Sequence, residues 1–129
     1  YIKAVKIRID PLDILTSKII RLQAKGRCER CLKPTEFNRL QTAHFIGRAN
    51  HRVRYEIDNL CGLCFGCHQY LDSRALEKVE FFQKRLGEKR FERLRIMAYW
   101  TRKDKIDKKA IELFLKLQLS KLEDANRNI

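Results

Sequence analysis

Apolar residues recur at every third or fourth position after residue 68, and this spacing predicts helices in the C-terminal half of the chain. The first predicted helix ends at Gly87, a natural C-cap. A second helix contains Phe91 and ends near Trp100. The apolar face of the first helix consists of Leu71, Ala75, Leu76, Val79, Phe82 and Leu86.

The last apolar segment, residues 110–122, has two possible periods. Its leucines alternate as they would in a strand, but its many Ala, Glu, Lys, Gln and Leu residues are helix formers. We therefore predict a third helix here, opened by Asp104 or Asp107.

The N-terminal residues predict a strand followed by a helix. Residues 1–9 alternate basic and apolar side chains, as a short edge strand does. Asp10 and Pro11 then provide an N-cap and a first-turn proline for a helix that stops at Gly26. Residues 27–68 have no helical period and contain all five cysteines and all three histidines. The chemistry is therefore expected in this middle segment.

Composition indicates one folded domain with a basic surface. The 129 residues include 44% hydrophobic residues, and 29 Lys and Arg against 16 Asp and Glu give a net charge of +13. A basic excess of this size favours a nucleic-acid partner, although a lysine-rich surface also serves solubility. We divide the single domain 1–129 into an N-terminal strand and helix (1–26), a core (27–86) and a helical C-terminal extension (87–129).

The sequence predicts a soluble, cytoplasmic protein. It has no run of about 18 consecutive apolar residues, the length needed to cross a bilayer. Residues 1–10 are charged and alternating, unlike a signal peptide. We therefore expect no membrane partner, whereas self-association into a homo-oligomer stays open.

The cysteines have the spacing of a zinc site. They form Cys28-x-x-Cys31 and Cys61-x-x-Cys64-x-x-Cys67. Two C-x-x-C turns supply four thiolates, the tetrahedral set that structural zinc takes. Disulfides are the alternative, which the odd number of cysteines and the lack of a secretion signal disfavour.

Three cysteines compete for the second turn of the zinc site. Gly66 between Cys64 and Cys67 suits a tight reversal, so we predict Cys28, Cys31, Cys64 and Cys67 as the ligands. Cys61 is then a small buried apolar residue, although a site built from Cys61 and Cys64 stays open.

Between and after these turns the chain reads Ala43-His44-Phe45, Asp58-Asn59 and Cys64-x-x-Cys67-His68. This order resembles the HNH, or ββα-metal, endonucleases, with a four-Cys zinc of the endonuclease VII type. The run from Ala43 to His68 looks most like the NinG/Rap phage recombination nucleases. The resemblance implies an α+β fold: a small zinc-stapled ββα-metal (HNH/His-Me finger) core with N-terminal and C-terminal helices.

Phosphodiester hydrolysis needs a base and a cation, and two histidines suit these roles. A neutral imidazole, with an ordinary pKa of about 6.5, can accept the proton of a water, so His44 is the predicted base. His68 follows a predicted zinc ligand at the start of a helix and is the predicted ligand of a second, catalytic Mg²⁺ or Mn²⁺. Asp72 lies four residues later on the same helix face and can share that ion, or simply stabilise the helix start.

Two further positions qualify the resemblance. It assigns Asn59 as the clamp that fixes the loop bearing His44, while an ordinary turn asparagine is the alternative. Many HNH sequences have a metal-binding acid or histidine immediately before the base, and here that residue is Ala43. A sparse metal site remains acceptable because Mg²⁺ retains several waters.

Basic residues near the two histidines are the predicted nucleic-acid contacts. Arg48 is the first choice for the scissile phosphate and is also predicted to act in catalysis, whereas His51 is expected to be an exposed loop residue. A track along the later helices extends the contact to the DNA backbone. Besides Arg48, the predicted phosphate contacts are Arg52, Arg54, Lys89, Arg90 and Arg93, with Arg95, Arg102 and Lys103 continuing the track.

The sequence thus predicts a metal-dependent DNA endonuclease with structural zinc and catalytic Mg²⁺ or Mn²⁺. The basic surface, which favours phosphate contacts, and the resemblance together predict low sequence specificity. The resemblance implies action on branched DNA in phage recombination and products with 5′-phosphate and 3′-hydroxyl ends. It also places the protein in a bacterial host cell if a phage encodes it. The alternatives are a non-catalytic zinc-knuckle module that binds nucleic acid and an adaptor in a recombination complex.

Overall fold

A two-stranded antiparallel hairpin organises the fold, with one helix before it and four after it. The computed structural model describes residues 9–99 and 105–127. Residues 1–8 of the predicted edge strand, and the assignments to Trp100, Arg102, Lys103 and Asp104, lie outside these ranges. The elements are α1 (Pro11–Gln23), β1 (Gln41–His44), β2 (Leu60–Leu63), α2 (Phe65–Asp72), α3 (Ala75–Leu86), α4 (Glu88–Ala98) and α5 (Lys108–Arg127), with short 3-10 turns at Phe37–Arg39 and Ile57–Asn59.

Helix α1 begins where the sequence predicts. The Asp10 carboxylate accepts a hydrogen bond from the Leu12 N–H at 2.9 Å, and Pro11 occupies the first turn. The helix ends at Gln23, and Gly26 follows with φ +77°, a conformation that glycine adopts without steric cost. The predicted N-cap is therefore confirmed, and the helix ends three residues before the predicted stop at Gly26.

The hairpin lies between α1 on one face and the later helices on the other. Thr42 and Gly62 pair across the strands and face α1, where the Thr42 hydroxyl bonds that of Ser17 at 3.1 Å. A Cβ on Gly62 would lie only 3.2 Å from the Cβ of Ala24, so glycine permits this close packing. Ala43 and Cys61 pair on the opposite face and belong to the buried core there.

The single helix predicted after residue 68 is wrong, because the structure has two. Helix α2 ends at Asp72 and α3 begins at Ala75. The Ser73 hydroxyl donates to the Tyr70 carbonyl at 3.0 Å, and the extended backbone of Arg74 then redirects the chain. Because the helical phase restarts, Leu76 of the predicted apolar face is 81% exposed.

The later helices agree with the sequence in type and differ in length. Gly87 ends α3 with φ +80°, and α4 follows directly. The third predicted segment is helical and longer than expected, spanning Lys108–Arg127. The Asp107 carboxylate accepts the Ala110 N–H at 3.1 Å, which makes Asp107 the opening cap. No helix in the described ranges is both long and apolar enough to cross a membrane.

Two buried clusters hold these elements together. The hairpin core lies between the hairpin and helices α2, α3 and α4, and Phe45 stacks there on Phe82 with ring centroids 5.0 Å apart. The α1–α5 core joins Leu12 and Ile19 of α1 to Leu115 of α5. It also contains residues of the β1–β2 loop, so both cores contact the segment that links the strands. The α+β architecture of a hairpin followed by a helix, with flanking helices, is confirmed.

Candidate active site

Four cysteines from the two C-x-x-C turns converge on one point. The Sγ atoms of Cys28, Cys31, Cys64 and Cys67 all lie within 4.8 Å of one another. The Cys31 and Cys64 sulfurs are 3.9 Å apart. Zn–S bonds of about 2.3 Å in a tetrahedron require sulfurs about 3.8 Å apart, so the cluster has the size and chemistry of a structural zinc site.

The structure separates the cluster from the fifth cysteine. Cys61 is fully buried on β2, and burial raises the pKa of its thiol well above the ordinary range. Burial would also raise the pKa of Cys28, but hydrogen bonds from the backbone of Cys31, Cys64 and Arg30 lower it to about 7. Burial also raises the pKa of the Cys67 thiol, to about 12, so it is the position of the sulfur atoms that identifies Cys64-x-x-Cys67 as the second turn of the cluster. All five cysteines are free of disulfides.

Two residues inside the first C-x-x-C turn support the cluster, and sequence reasoning missed both. The Arg30 guanidinium donates to the Cys67 sulfur at 3.4 Å and lies over the Tyr70 ring. The Glu29 carboxylate accepts the Gly62 N–H of β2 and pairs with Arg85 of α3 at 3.2 Å. The first turn is thereby tied to the second turn, the hairpin and α3. These partners lie more than 30 residues away, which explains why local spacing does not reveal them.

His44 ends strand β1 and has an unusual environment. Its Nε2 atom is buried and has no hydrogen-bond partner among the described residues. Burial, and then the positive charges of Arg48, Arg54 and Lys78, lower the pKa of His44 to about 4, although Asp13 opposes the shift. The imidazole is therefore neutral at physiological pH, with a ring nitrogen available as an acceptor.

Asn59 fixes the loop that follows His44. Its side chain is fully buried; the carbonyl oxygen accepts the Ile46 N–H at 2.8 Å, and the amide donates to the Ile46 and Val53 carbonyls at 2.9 and 3.1 Å. Its backbone carbonyl also accepts the Phe45 N–H at 2.9 Å. The backbone directly after His44 is thus held on both its donor and acceptor sides.

His68 and Asp72 form a pair on α2. The His68 Nε2 atom lies 3.2 Å from a carboxylate oxygen of Asp72, as their four-residue spacing predicts. The other ring nitrogen, Nδ1, is 2.7 Å from the side-chain oxygen of Gln41 on β1. Lys78 of α3 contacts the second carboxylate oxygen of Asp72 at 2.9 Å and also contributes to the lowered pKa of His44. Gln41 and Lys78 are site residues that the sequence did not indicate.

A zinc-type cysteine cluster, a hairpin ending in His44 and a helix carrying His68 thus lie within one segment. Residues 28–74 match the family model described as HNH endonuclease. These residues form an HNH endonuclease domain. HNH endonucleases hydrolyse DNA phosphodiester bonds, and the match assigns this class of activity to residues 28–74. No curated protein and no solved structure showed significant similarity to the chain.

Within the HNH domain, Ala43 has a structural reason to be small. Its side chain is 1% exposed and packs in the hairpin core, on the strand face opposite to Thr42. An acid or histidine at this position would place a polar group inside an apolar cluster. The neighbour of His68 on β1 is instead Gln41, two residues earlier on the same strand face.

Around the HNH domain, three arginines of the β1–β2 loop have different environments. The Arg54 guanidinium forms two hydrogen bonds with the Asp13 carboxylate, at 2.6 and 3.2 Å, so its charge is already paired. Arg48 is 62% exposed, and its guanidinium lies 3.8 Å from the same carboxylate, which is too far for a hydrogen bond. Arg52 is half-buried and has no ion-pair partner among residues 9–99 and 105–127.

Four basic residues predicted to contact DNA lie on α4, and one of them, Arg95, pairs with Glu92 at 3.1 Å. Lys89 and Arg93 are exposed. Arg90 is paired with the Asp58 carboxylate, which joins α4 to the 3-10 turn ending at Asn59. Arg90 thus supports the loop from outside, whereas Lys89 and Arg93 present their charges to solvent. The role of each residue toward DNA stays a prediction.

Proposed function

We propose that the HNH domain cleaves DNA with low sequence specificity in the presence of Mg²⁺ or Mn²⁺, and that it acts on branched recombination intermediates as well as on linear duplexes. The observation that carries the proposal is His44: a neutral imidazole whose buried nitrogen has no partner in the described structure. A buried acceptor without a partner is unfavourable unless a water or ligand satisfies it. We assign that position to the water that attacks the phosphodiester.

His44 acts as the general base in this proposal. Its Nε2 atom accepts a proton from the attacking water, and the resulting oxygen nucleophile attacks phosphorus. The leaving 3′-oxygen departs with its electron pair and takes a proton from solvent, so the products carry 5′-phosphate and 3′-hydroxyl ends. Asn59 holds the backbone at residues 45 and 46 and thereby fixes the direction of the imidazole.

The donor set of His68 and Asp72 fits a catalytic divalent cation. The His68 Nε2 atom and an Asp72 carboxylate oxygen face each other across 3.2 Å, while the His68 Nδ1 atom lies 2.7 Å from the Gln41 side-chain oxygen. Imidazole nitrogen and carboxylate oxygen are both atom types that bind divalent cations in proteins. A bound Mg²⁺ or Mn²⁺ supplies neutralisation of the phosphate and leaving oxygen, and it keeps several waters because the protein offers few ligands.

Arg48 holds the phosphate in this proposal, and Arg54 has a supporting role. Arg48 is exposed and acts on the electrostatics of His44, so its charge reaches the site. The charge of Arg54 is paired with Asp13, and this pair holds the β1–β2 loop against α1. The exposed Lys89 and Arg93, together with Arg52, attract the DNA backbone through charge without selecting a base sequence.

A plasmid-nicking assay with and without Mg²⁺ or Mn²⁺ tests the proposal. His44→Ala should lower the cleavage rate by a factor of about 100 or more, because it removes the base, while DNA affinity and zinc content stay near the parent values. Added imidazole should restore part of the rate in His44→Ala. Parental cleavage by this variant would exclude His44 as the base.

The role of His68 is tested by a separate readout. Mn²⁺ binding, followed by electron paramagnetic resonance, should weaken in His68→Ala and remain in His44→Ala. His68→Gln serves as a control that keeps side-chain volume and removes the imidazole. Equal Mn²⁺ binding in all variants would place the cation elsewhere.

Substrate preference is tested with matched DNA of one sequence. We expect a four-way junction to be cut at least as fast as a nicked duplex and a linear duplex, since an irregular junction presents strands that a straight duplex holds in place. Cleavage at one defined linear site, with junctions left intact, would contradict both low specificity and action on branched DNA.

A further inference from the structure

A cleft outside the active site opens where the β1–β2 loop meets the end of α4 and the start of α5. Its volume is about 820 Å³, within the range of pockets that enclose a small ligand. Loop residues 49–52 form one wall, and Ala98 forms the other together with Lys105, Ile106 and Lys108. None of the residues assigned to catalysis or to metal binding, such as His44, Asn59 and His68, lines this cleft.

The loop wall of the cleft is held in place by Asn50. Its side-chain amide donates to the Ala98 carbonyl at the end of α4 at 2.9 Å. Its carbonyl oxygen accepts the Arg52 N–H at 3.2 Å. Asn50 therefore uses its own polar groups to join the two walls, and the cleft is formed before any ligand arrives.

The charges at the cleft favour an anion. Arg52, Lys105 and Lys108 line it, and no acidic side chain of the described residues does. Asp10 faces Lys108 closely enough that the ammonium helps to lower the pKa of that carboxyl. Within residues 9–99 and 105–127, Arg52 and Lys105 have no carboxylate partner, so in this described part of the chain two cations face the cleft without an ion pair.

Part of the remaining lining is apolar and suits the face of a base. Ala49, Ala98 and Ile106 contribute side chains without polar atoms. A paired base is stacked inside its duplex and shows a pocket only its edges and backbone, whereas an unpaired nucleotide offers a phosphate and an apolar ring face together. The combination of cations and apolar surface in a concave site therefore matches an unpaired nucleotide better than duplex backbone.

We propose that this cleft binds an unpaired nucleotide of a DNA strand, with its phosphate at Arg52 and Lys105 and its base against Ala98 and Ile106. The proposal rests on the proposed function in taking DNA as the substrate. It gives a physical basis for a preference for forks and junctions, because these structures expose unpaired nucleotides and a blunt duplex does not.

Binding assays without Mg²⁺ test the cleft independently of catalysis. Fluorescence anisotropy compares a single strand of about 12 nucleotides with a blunt duplex. Ala49→Trp fills the cleft without changing charge, and Lys105→Gln removes one cation. Each should weaken single-strand binding about fivefold or more while duplex binding changes less than about twofold. Lys121→Gln, an exposed lysine on α5 outside the cleft, is the charge-matched control and should leave both nearly unchanged.

A strand with abasic sites separates the base from the phosphate. The parent protein should bind it several-fold more weakly than the intact strand, because the base contact is lost and the charge is kept. Equal loss of single-strand and duplex binding in Ala49→Trp, unchanged single-strand binding, or equal binding of the abasic strand would each overturn the proposal. Failure of the proposed cleavage mechanism would appear instead as persistent nicking by His44→Ala.

Discussion

At the scale of single residues, His44 shows how position on the fold changes a side chain's chemistry. Burial and neighbouring cations lower the pKa of its imidazole to about 4, compared with an ordinary value of about 6.5. The folded protein therefore binds this proton only near pH 4, while the unfolded chain binds it near 6.5. Consequently, His44 makes the free energy of unfolding decrease as pH falls from about 6.5 towards about 4.

Nuclear magnetic resonance of the zinc-loaded protein tests this shift. The ring signals of His44 should remain those of a neutral imidazole between about pH 8 and about pH 5.5, because the lowered pKa lies below this window. His44→Gln identifies the signals by their loss. A titration midpoint near pH 6.5 would show that burial does not control this imidazole.

Asn59 has its own effect on stability. Asn59→Ala should lower the free energy of unfolding by about 3 kcal/mol, since it leaves the buried Ile46 N–H and the Ile46 and Val53 carbonyls without their partner. Urea unfolding with zinc bound measures the change. Asn38→Ala, an exposed asparagine, should change the same quantity by less than about 0.5 kcal/mol. Similar small losses in both variants would contradict the clamp.

Short local patterns in the sequence predicted several residues of the candidate site. The order of the motif residues along the chain predicted roles for His44, Asn59 and His68. The C-x-x-C spacing predicted that the cysteine sulfurs converge on one metal ion. Gln41 and Lys78 could not be found in this way, because their roles come from contacts between β1, α2 and α3. Ala43 also became understandable only when its strand face was known.

At the scale of elements, α1 is linked to the β1–β2 loop by charge. Asp13 lies in the first turn of α1, where an acid is favourable, and its carboxylate receives two hydrogen bonds from Arg54. Their side chains are only 12% and 20% exposed, so water screens the pair weakly. The pair therefore sets the position of the loop between His44 and Asn59 relative to α1.

A double-mutant cycle measures this link. Asp13→Asn and Arg54→Gln, made singly and together, should give a coupling of about 2 kcal/mol in the free energy of unfolding. The exposed pair Glu36 and Arg39 is the control, and the cycle of Glu36→Gln and Arg39→Gln should give less than about 0.5 kcal/mol. Equal coupling in the two cycles would mean that partial burial adds nothing to the Asp13 pair.

Helix positions were predictable from periodicity, whereas one helix boundary was not. Asp10 and Gly87 are local capping signals, and both appear where the sequence placed them. The break at Ser73 and Arg74 lacks Gly and Pro, and the apolar spacing continues across it. The turn depends on the Ser73 hydroxyl bond to the Tyr70 carbonyl and on the extended backbone of Arg74, which the apolar spacing does not reveal.

At the scale of the whole molecule, the zinc site joins distant parts of the chain. It brings residues 28–31 next to residues 64–67, and the hairpin lies between these turns in sequence. Because a chain of this size has a modest core, bound zinc is expected to contribute much of the stability. The helices outside the domain add the second core.

Metal analysis and unfolding test this contribution. Removal of zinc by a chelator should unfold the HNH domain, seen as loss of cooperative melting. Cys67→Ala should retain less than one zinc per chain, whereas Cys61→Ala should keep its zinc, since Cys61 lies outside the cluster. Loss of zinc in Cys61→Ala with retention in Cys67→Ala would reverse the ligand assignment.

The α1–α5 core has a consequence for the kinetics of folding. Leu12 and Leu115 meet in this core although about 100 residues separate them along the chain. A zinc ion bound by the four cysteines would shorten the chain path between them to about 60 residues. This shortening lowers the entropic cost of bringing them together by only about 0.4 kcal/mol. Contacts of such long range form late, so α5 should dock onto α1 after the hairpin and the zinc turns have assembled. Hydrogen exchange of the backbone amides should then be faster in α5 than in β1 and β2. The rate at which α5 detaches would set how often the β1–β2 loop loses its contacts with the α1–α5 core.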